Sequence, residues 1–214
     1  MADKARVRIV HNVAGGPNVD VYANNGKVLS NVSYKTVSDY LCLDQGFYCL
    51  QVTLHGSSKV ILKEEVRLDN RDYTAIVHGS VQKKDCDQPE KPLAILFLSD
   101  NNDLPEVNKS HVRFVHAAAD APAVDIWANS ASRIFQNVSY GSTGNPEYLP
   151  VDANVYELAV SPADSADVVL GPGYLNLESQ EIYTLIATGI PGECSKFPLT
   201  VLILVDYQRG CCSC

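Results

Sequence analysis

Val7-Arg8-Ile9-Val10-His11, then Gly16-Pro17-Asn18-Val19-Asp20-Val21-Tyr22-Ala23-Asn24, is echoed later in the same chain. The second version reads Val112-Arg113-Phe114-Val115-His116, then Ala121-Pro122-Ala123-Val124-Asp125-Ile126-Trp127-Ala128-Asn129. His11 and His116, like Asp20 and Asp125, are offset by 105 residues. A solenoid repeat spans only ~20–50 residues, so two copies of a unit this long read as two tandem domains. What both copies keep belongs to the fold. What one copy has alone is where a specific function could sit.

The match runs on with small insertions between apolar runs, where loops tolerate a change of length. Asn31-Val32-Ser33-Tyr34 returns as Asn137-Val138-Ser139-Tyr140, and Tyr40-Leu41 as Tyr148-Leu149. Tyr73-Thr74-Ala75-Ile76 returns as Tyr183-Thr184-Leu185-Ile186. Leu93 through Asp100 returns as Leu199 through Asp206. The seam, residues 101–110, is polar and carries Pro105, as a linker does. The expected organisation is a first domain over 1–100, a linker over 101–110, a second domain over 111–207 and a cysteine-rich tail over 208–214.

Hydrophobic periodicity gives the fold class. Val7, Ile9 and His11 alternate with Arg6, Arg8 and Val10. Val19, Val21 and Ala23 alternate with Asp20, Tyr22 and Asn24. A period of two marks half-buried antiparallel strands, and Gly, Pro, Asn and Asp cluster between the runs as turns require. No window gives a capped helical stripe. The reading is all-β: two tandem immunoglobulin-like antiparallel β-sandwich domains of seven or eight strands each. Leu93–Leu98, apolar on every residue, is expected to be a central strand covered on both faces, as is Leu199–Val205. Asp44-Gln45-Gly46 aligns with Asp152-Ala153-Asn154, and the Gly/Asn exchange predicts a left-handed turn residue in both copies.

Composition excludes several classes. The 214 residues carry a net charge of −8, with no clustered basic face of the kind a nucleic-acid binder shows. No apolar run approaches the ~20 residues of a membrane-spanning helix. Met1-Ala2-Asp3-Lys4-Ala5-Arg6 enters a strand at once, so no signal peptide is read in this sequence.

The block His-x(5)-Pro-x-Val-Asp-[Val/Ile]-[Tyr/Trp], followed by Asn-Val-Ser-Tyr and Tyr-Leu, resembles the domain of unknown function catalogued as number 4397, in two tandem copies. The second copy is the closer match. The first departs from the pattern at Asn12-Val13-Ala14-Gly15-Gly16. The resemblance implies an immunoglobulin-like sandwich of the kind found on bacterial and archaeal surface proteins. It implies no catalytic residues.

His11 with Asp20, and His116 with Asp125, are the tempting acid/base pairs. No repeated Ser or Cys lies near them to complete a triad. The expectation is therefore structural: His11, Pro17 and Asp20, and His116, Pro122 and Asp125, tie the first loop by hydrogen bonds. No catalytic residue, cofactor or metal is expected, since one His and one Asp per domain fall short of the ~4 ligands of a structural zinc site. The seven cysteines are an odd number. Cys42 and Cys49 flank the Asp44 turn and are a candidate disulfide if that turn is a two-residue hairpin; a bulged register would set Cys42 against Tyr48. Cys211, Cys212 and Cys214 are candidates for intermolecular crosslinks. Asn31, Asn108 and Asn137 fit the N-glycosylation pattern; the favoured reading is that of turn asparagines bonding their own backbone. Trp127, on the polar parity of its strand, is the candidate exposed interface anchor.

These observations favour a non-enzymatic structural or adhesive protein of a cell surface, an extracellular filament or a virus particle. Its partners would be copies of itself or another structural protein. The alternative is a ligand-binding module, with carbohydrate as the candidate ligand. A hydrolase built on the His/Asp pairs ranks third.

Overall fold

The computed structural model describes residues 4–81, 91–192 and 195–206. The chain forms two compact units, meeting in sequence at Asp100 and Asn101. No helix occurs among the described residues. Both units are all-β and sandwich-like.

The first unit contains β1 (Lys4–Ala14), β2 (Val19–Ala23), β3 (Gly26–Val32), β4 (Leu41–Asp44), β5 (Gly46–Leu54), β6 (Val60–Leu68), β7 (Asp72–Ser80) and β8 (Ala94–Ser99). One sheet has the order β4-β1-β7-β8 and the other β3-β2-β5-β6. The second unit contains β9 (Lys109–His116), β10 (Val124–Ala128), β11 (Ser132–Val138), β12 (Ser142–Thr143), β13 (Leu149–Asp152), β14 (Val155–Pro162), β15 (Leu170–Asn176), β16 (Ile182–Thr188) and β17 (Thr200–Val205). Its sheets run β12-β9-β16-β17, with β13 also on β9, and β11-β10-β14-β15. The architecture repeats strand for strand; β12 is the addition. β9 begins at Lys109, so the last two residues read as linker are strand.

Inward positions follow the alternation. Val7, Ile9, Val19, Val21, Leu50, Val52, Ala75 and Val77 meet in the first core. Phe114, Val124, Ile126, Phe135, Val160 and Leu185 meet in the second. Full burial of a side chain such as Phe135, 1% exposed, contributes about 1.5–3 kcal/mol.

Three local expectations are corrected. First, β8 and β17 lie at sheet edges and most of their side chains are only half-buried. The central strands are β7 and β16, buried at every residue. An unbroken apolar run says that both faces are covered; it does not say that both flanks are. Second, β7 pairs with β1, and β16 with β9, in parallel. Chain-distant strands can pair this way because a long connection allows either direction. Third, of the aligned turn residues only Gly46 has positive φ, at 149°. Asn154 instead takes the Val155 N–H on its side-chain oxygen at 2.8 Å. The left-handed residues shared by both copies include Asn24 with Asn129, Asn31 with Asn137, Gly15 with Asp120, and Lys35 with Gly141.

Candidate functional site

The repeated histidine ends the first strand of each unit. His11 is 1% exposed and His116 is 0% exposed. In each, Nε2 faces a proline carbonyl of the following loop: His11 to Pro17 at 3.1 Å, His116 to Pro122 at 2.8 Å. His11 Nδ1 accepts the Val13 N–H at 3.3 Å, which leaves the proton on Nε2 as the donor to Pro17. Burial lowers the pKa of both rings, and the proline carbonyl only partly offsets this. Both imidazoles are thus neutral loop staples.

The aspartates are not their partners. Asp20 and Asp125 are each 1% exposed. Asp20 accepts Lys27 Nζ at 2.7 Å, Ser30 Oγ at 3.0 Å, the Asn31 N–H at 2.9 Å and, across to β5, meets His55 Nδ1 at 2.8 Å. Asp125 accepts Arg133 Nη1 at 2.8 Å, the Asn137 N–H at 2.7 Å and the Asp164 N–H at 3.3 Å. The bond to the asparagine N–H is common to both. Register shifts interrupt β2–β3 and β10–β11. A bulge leaves a main-chain group outside the ladder. The carboxylate takes up that N–H, at an asparagine with φ of 58° or 48°. Val-Asp and Asn-Val-Ser-Tyr are therefore two halves of one device. Lys27, His55 and the Asn31 N–H hold the Asp20 carboxyl far below the usual carboxylate range. Around Asp125, burial pushes upward, but the Asn137 N–H and Arg133 outweigh it and the net shift is downward.

This geometry separates the proposed acid/base pairs into two backbone devices per unit. His116→Ala would leave the Pro122 carbonyl unpaired, and the expected loss is about 1–3 kcal/mol of stability. Denaturant unfolding of the variant tests this. A loss within experimental error would remove the staple reading.

A second repeated cluster went unrecognised in the sequence. On the opposite face of β1 and β7, Arg8 Nε donates to Thr74 Oγ1 at 2.8 Å. Thr74 passes its hydroxyl proton to Asp100 at 2.7 Å, and Tyr40 O–H donates to Asp100 at 2.8 Å. The Arg8 guanidinium lies 5.0 Å from the Tyr40 ring centroid. In the second unit Arg113 donates to Thr184 at 3.0 Å, Thr184 to Asp206 at 2.6 Å, and Tyr148 to Asp206 at 2.9 Å. Arg113 sits 4.7 Å from the Tyr148 ring centroid and 3.5 Å from Asp206 Oδ2. The side chains of Arg113 and Asp206 are 0% exposed. The signal existed: all four residue types stand at matched positions in both copies. Period-two alternation by itself assigns these polar positions to solvent, so it does not reveal that they are buried.

The remaining candidates resolve individually. Cys49 is free, so the Cys42–Cys49 disulfide is not formed. Cys42 lies on β4, paired with β1, while Cys49 lies on β5, paired with β2 and β6. The Asp44 turn carries the chain from one sheet to the other, so it is not a hairpin. Cys211, Cys212 and Cys214 lie outside the described residues. Asn31, Asn108 and Asn137 are exposed, each with positive φ. The Asn31 and Asn137 N–H groups go to Asp20 and Asp125, and the Asn108 N–H goes to Ser179 Oγ at 2.9 Å. Trp127 is half-buried, not freely exposed. Its Nε1–H donates to Ser161 Oγ at 2.9 Å, and Arg133 lies 5.3 Å from its ring centroid. Among the described residues no group of three or more His, Cys, Asp or Glu could hold a metal ion. No described helix is long and apolar enough to cross a membrane.

Fold and sites together define a protein of two tandem all-β, sandwich-like domains. Each domain carries the same histidine staple, aspartate-capped bulge and buried arginine network. The chain belongs to the family described as Domain of unknown function (DUF4397), which matches residues 5–127 and 110–209. Among solved structures the chain is similar to one titled "The Bacillus anthracis TIE protein", at 10% identity and a TM-score of 0.29, with 95% of this chain covered. The chain spans 44% of that protein's length. No curated protein matches the chain.

Proposed function

We propose that this chain is a non-enzymatic structural protein that joins copies of itself, or another structural protein, through the edges of its sheets. The setting is a cell surface, an extracellular filament or a virus particle, in keeping with the surface proteins that the family resemblance implies. One observation carries the reading. Among the described residues, β8 (Ala-Ile-Leu-Phe-Leu-Ser) and β17 (Thr-Val-Leu-Ile-Leu-Val) are edge strands, and neither contains a charge, a proline or a bulge. Proteins that must stay apart blunt their edges with such features, because a regular edge is a template for another strand. Both histidines face loop carbonyls, and both aspartates are held by an asparagine N–H and by side chains, which supports a protein without turnover.

The test is sedimentation and electron microscopy of the intact chain over a range of concentrations. Assemblies larger than a monomer are expected. Leu96→Lys with Leu202→Lys should dissolve them while the strand spectrum persists, since each lysine stem can lie along the sheet with its charge in water. A chain ending at Arg209, compared on non-reducing gels, shows whether Cys211, Cys212 and Cys214 reinforce the contact. A strictly monomeric intact chain, oxidised or reduced, would leave small-ligand binding, carbohydrate included, as the better account.

A further inference from the structure

The second unit contains an opening between its sheets, where its residues differ from those at the matched positions of the first unit. Between its sheets, on the side where β15 and β17 form the two rims, lies a cavity of about 410 Å³. It reaches Phe114, Ile126 and Leu185, which are only 1%, 2% and 2% exposed. Among the described residues that line it, none is charged.

The register shows what is missing. Leu158 stands opposite Gly173 on β15, while its counterpart Leu50 stands opposite Glu64 on β6. Leu185 stands opposite Ile203 on β17, while its counterpart Ala75 stands opposite Phe97 on β8. In the first unit the Phe97 ring packs on the core and stacks on Tyr73 at a centroid distance of 4.9 Å. In the second, Ile203 shares the inward face of Leu185 yet is 54% exposed. A β-branched side chain directed at the core and more than half exposed has empty space before it.

We propose that this slit binds the hydrocarbon chain of a free, unbranched fatty acid, with the carboxylate left in water. The volume falls within the ~300–1,000 Å³ of small-molecule sites. At ~30 Å³ per water-sized group it holds about a dozen such groups, more than any single inserted side chain supplies. Packed sheets lie ~10 Å apart, so the gap between their side chains suits one extended chain and not a broad polycycle. A sugar is disfavoured, because its hydroxyls would be buried without hydrogen-bond partners. A partner strand is disfavoured along β15, whose register is broken between Leu158 and Val160 and whose Pro172 has no N–H. This site is argued from the slit between the sheets and not from the edge contacts proposed above.

The experiment is calorimetric titration of the full chain with dodecanoate below its micelle concentration, with native mass spectrometry for stoichiometry. One dodecanoate per chain is expected, with the negative heat-capacity change of apolar burial. Gly173→Glu and Ile203→Phe restore the first copy's residues. Each is expected to weaken binding at least tenfold, while Glu64→Gly in the first unit changes nothing. A Cβ on Gly173 meets nothing within 4 Å, so that variant is expected to fold, and its unfolding midpoint without ligand confirms it. Absence of saturable binding overturns the proposal. So does equal affinity in both second-unit variants, binding to phosphatidylcholine vesicles without binding to free dodecanoate, or a neighbouring chain's side chain found in the slit.

Discussion

Arg113→Ala is expected to destabilise the second unit by about 3–5 kcal/mol, the usual result of removing one partner from a buried ion pair. Asp206, whose side chain is 0% exposed, would lose its guanidinium partner while still accepting the hydroxyls of Thr184 and Tyr148. Against the ~5–15 kcal/mol of a typical domain, that loss is a large share of the total. The chain's single tryptophan, Trp127, lies in this unit and reports its unfolding. The cause can be separated from simple loss of packing. In Arg113→Met with Asp206→Leu both charges are gone, and most of the stability should return, because the favourable pairing largely offsets the cost of burying the ions. A loss below about 1 kcal/mol in the single variant, or no recovery in the double one, would show that the network does not hold the Tyr148 segment to the sheet.

Acid is expected to unfold the first unit more steeply than the second, beginning near neutral pH. Burial lowers the pKa of His11 and His78 in the first unit and of His116 in the second. Below the ordinary histidine value of about 6.5 the unfolded chain takes up protons that the folded chain refuses. The unfolded state then binds more protons, so stability falls as pH falls, by up to ~1.4 kcal/mol per pH unit for each such histidine. Two such groups against one make the first unit's slope about twice the second's. Asp20 and Asp125, whose folded pKa values are depressed, act in the same direction at lower pH. Their contribution is present above the unfolded value of about 3.9 and is lost as pH falls through the folded one. Denaturation midpoints at several pH values between 7.5 and 4 give the slopes, with hydrogen exchange assigning them to each unit. His11→Gln and His78→Gln should flatten the first unit's curve. Stability constant down to pH 5 would contradict the neutral, buried rings.

Much of the fold is legible in the sequence. The duplication and the period of two gave the all-β tandem class, because inward and outward positions of a half-buried strand leave their mark on every second residue. The motif residues are legible too, since both copies keep them; which partner each one bonds is not. His11 and Asp20 are nine residues apart and look like partners. In the fold His11 turns to the Pro17 carbonyl, while Asp20, on the far face of β2, meets the Asn31 N–H and His55.

Sequence alone determined where the strands run, which face of most strands is apolar, and that the chain is built twice from one plan. These are local properties, written in the alternation of side chains and in the repeat. Tertiary structure alone decided which strands are flanked. It put the apolar runs β8 and β17 at the edges and the mixed runs β7 and β16 at the centre. It also buried Arg8 and Arg113 on a face that alternation assigns to water, by laying Tyr40 and Tyr148 over them. Edge or centre, and open or covered, depend on which distant segments arrive alongside, and no local pattern records that.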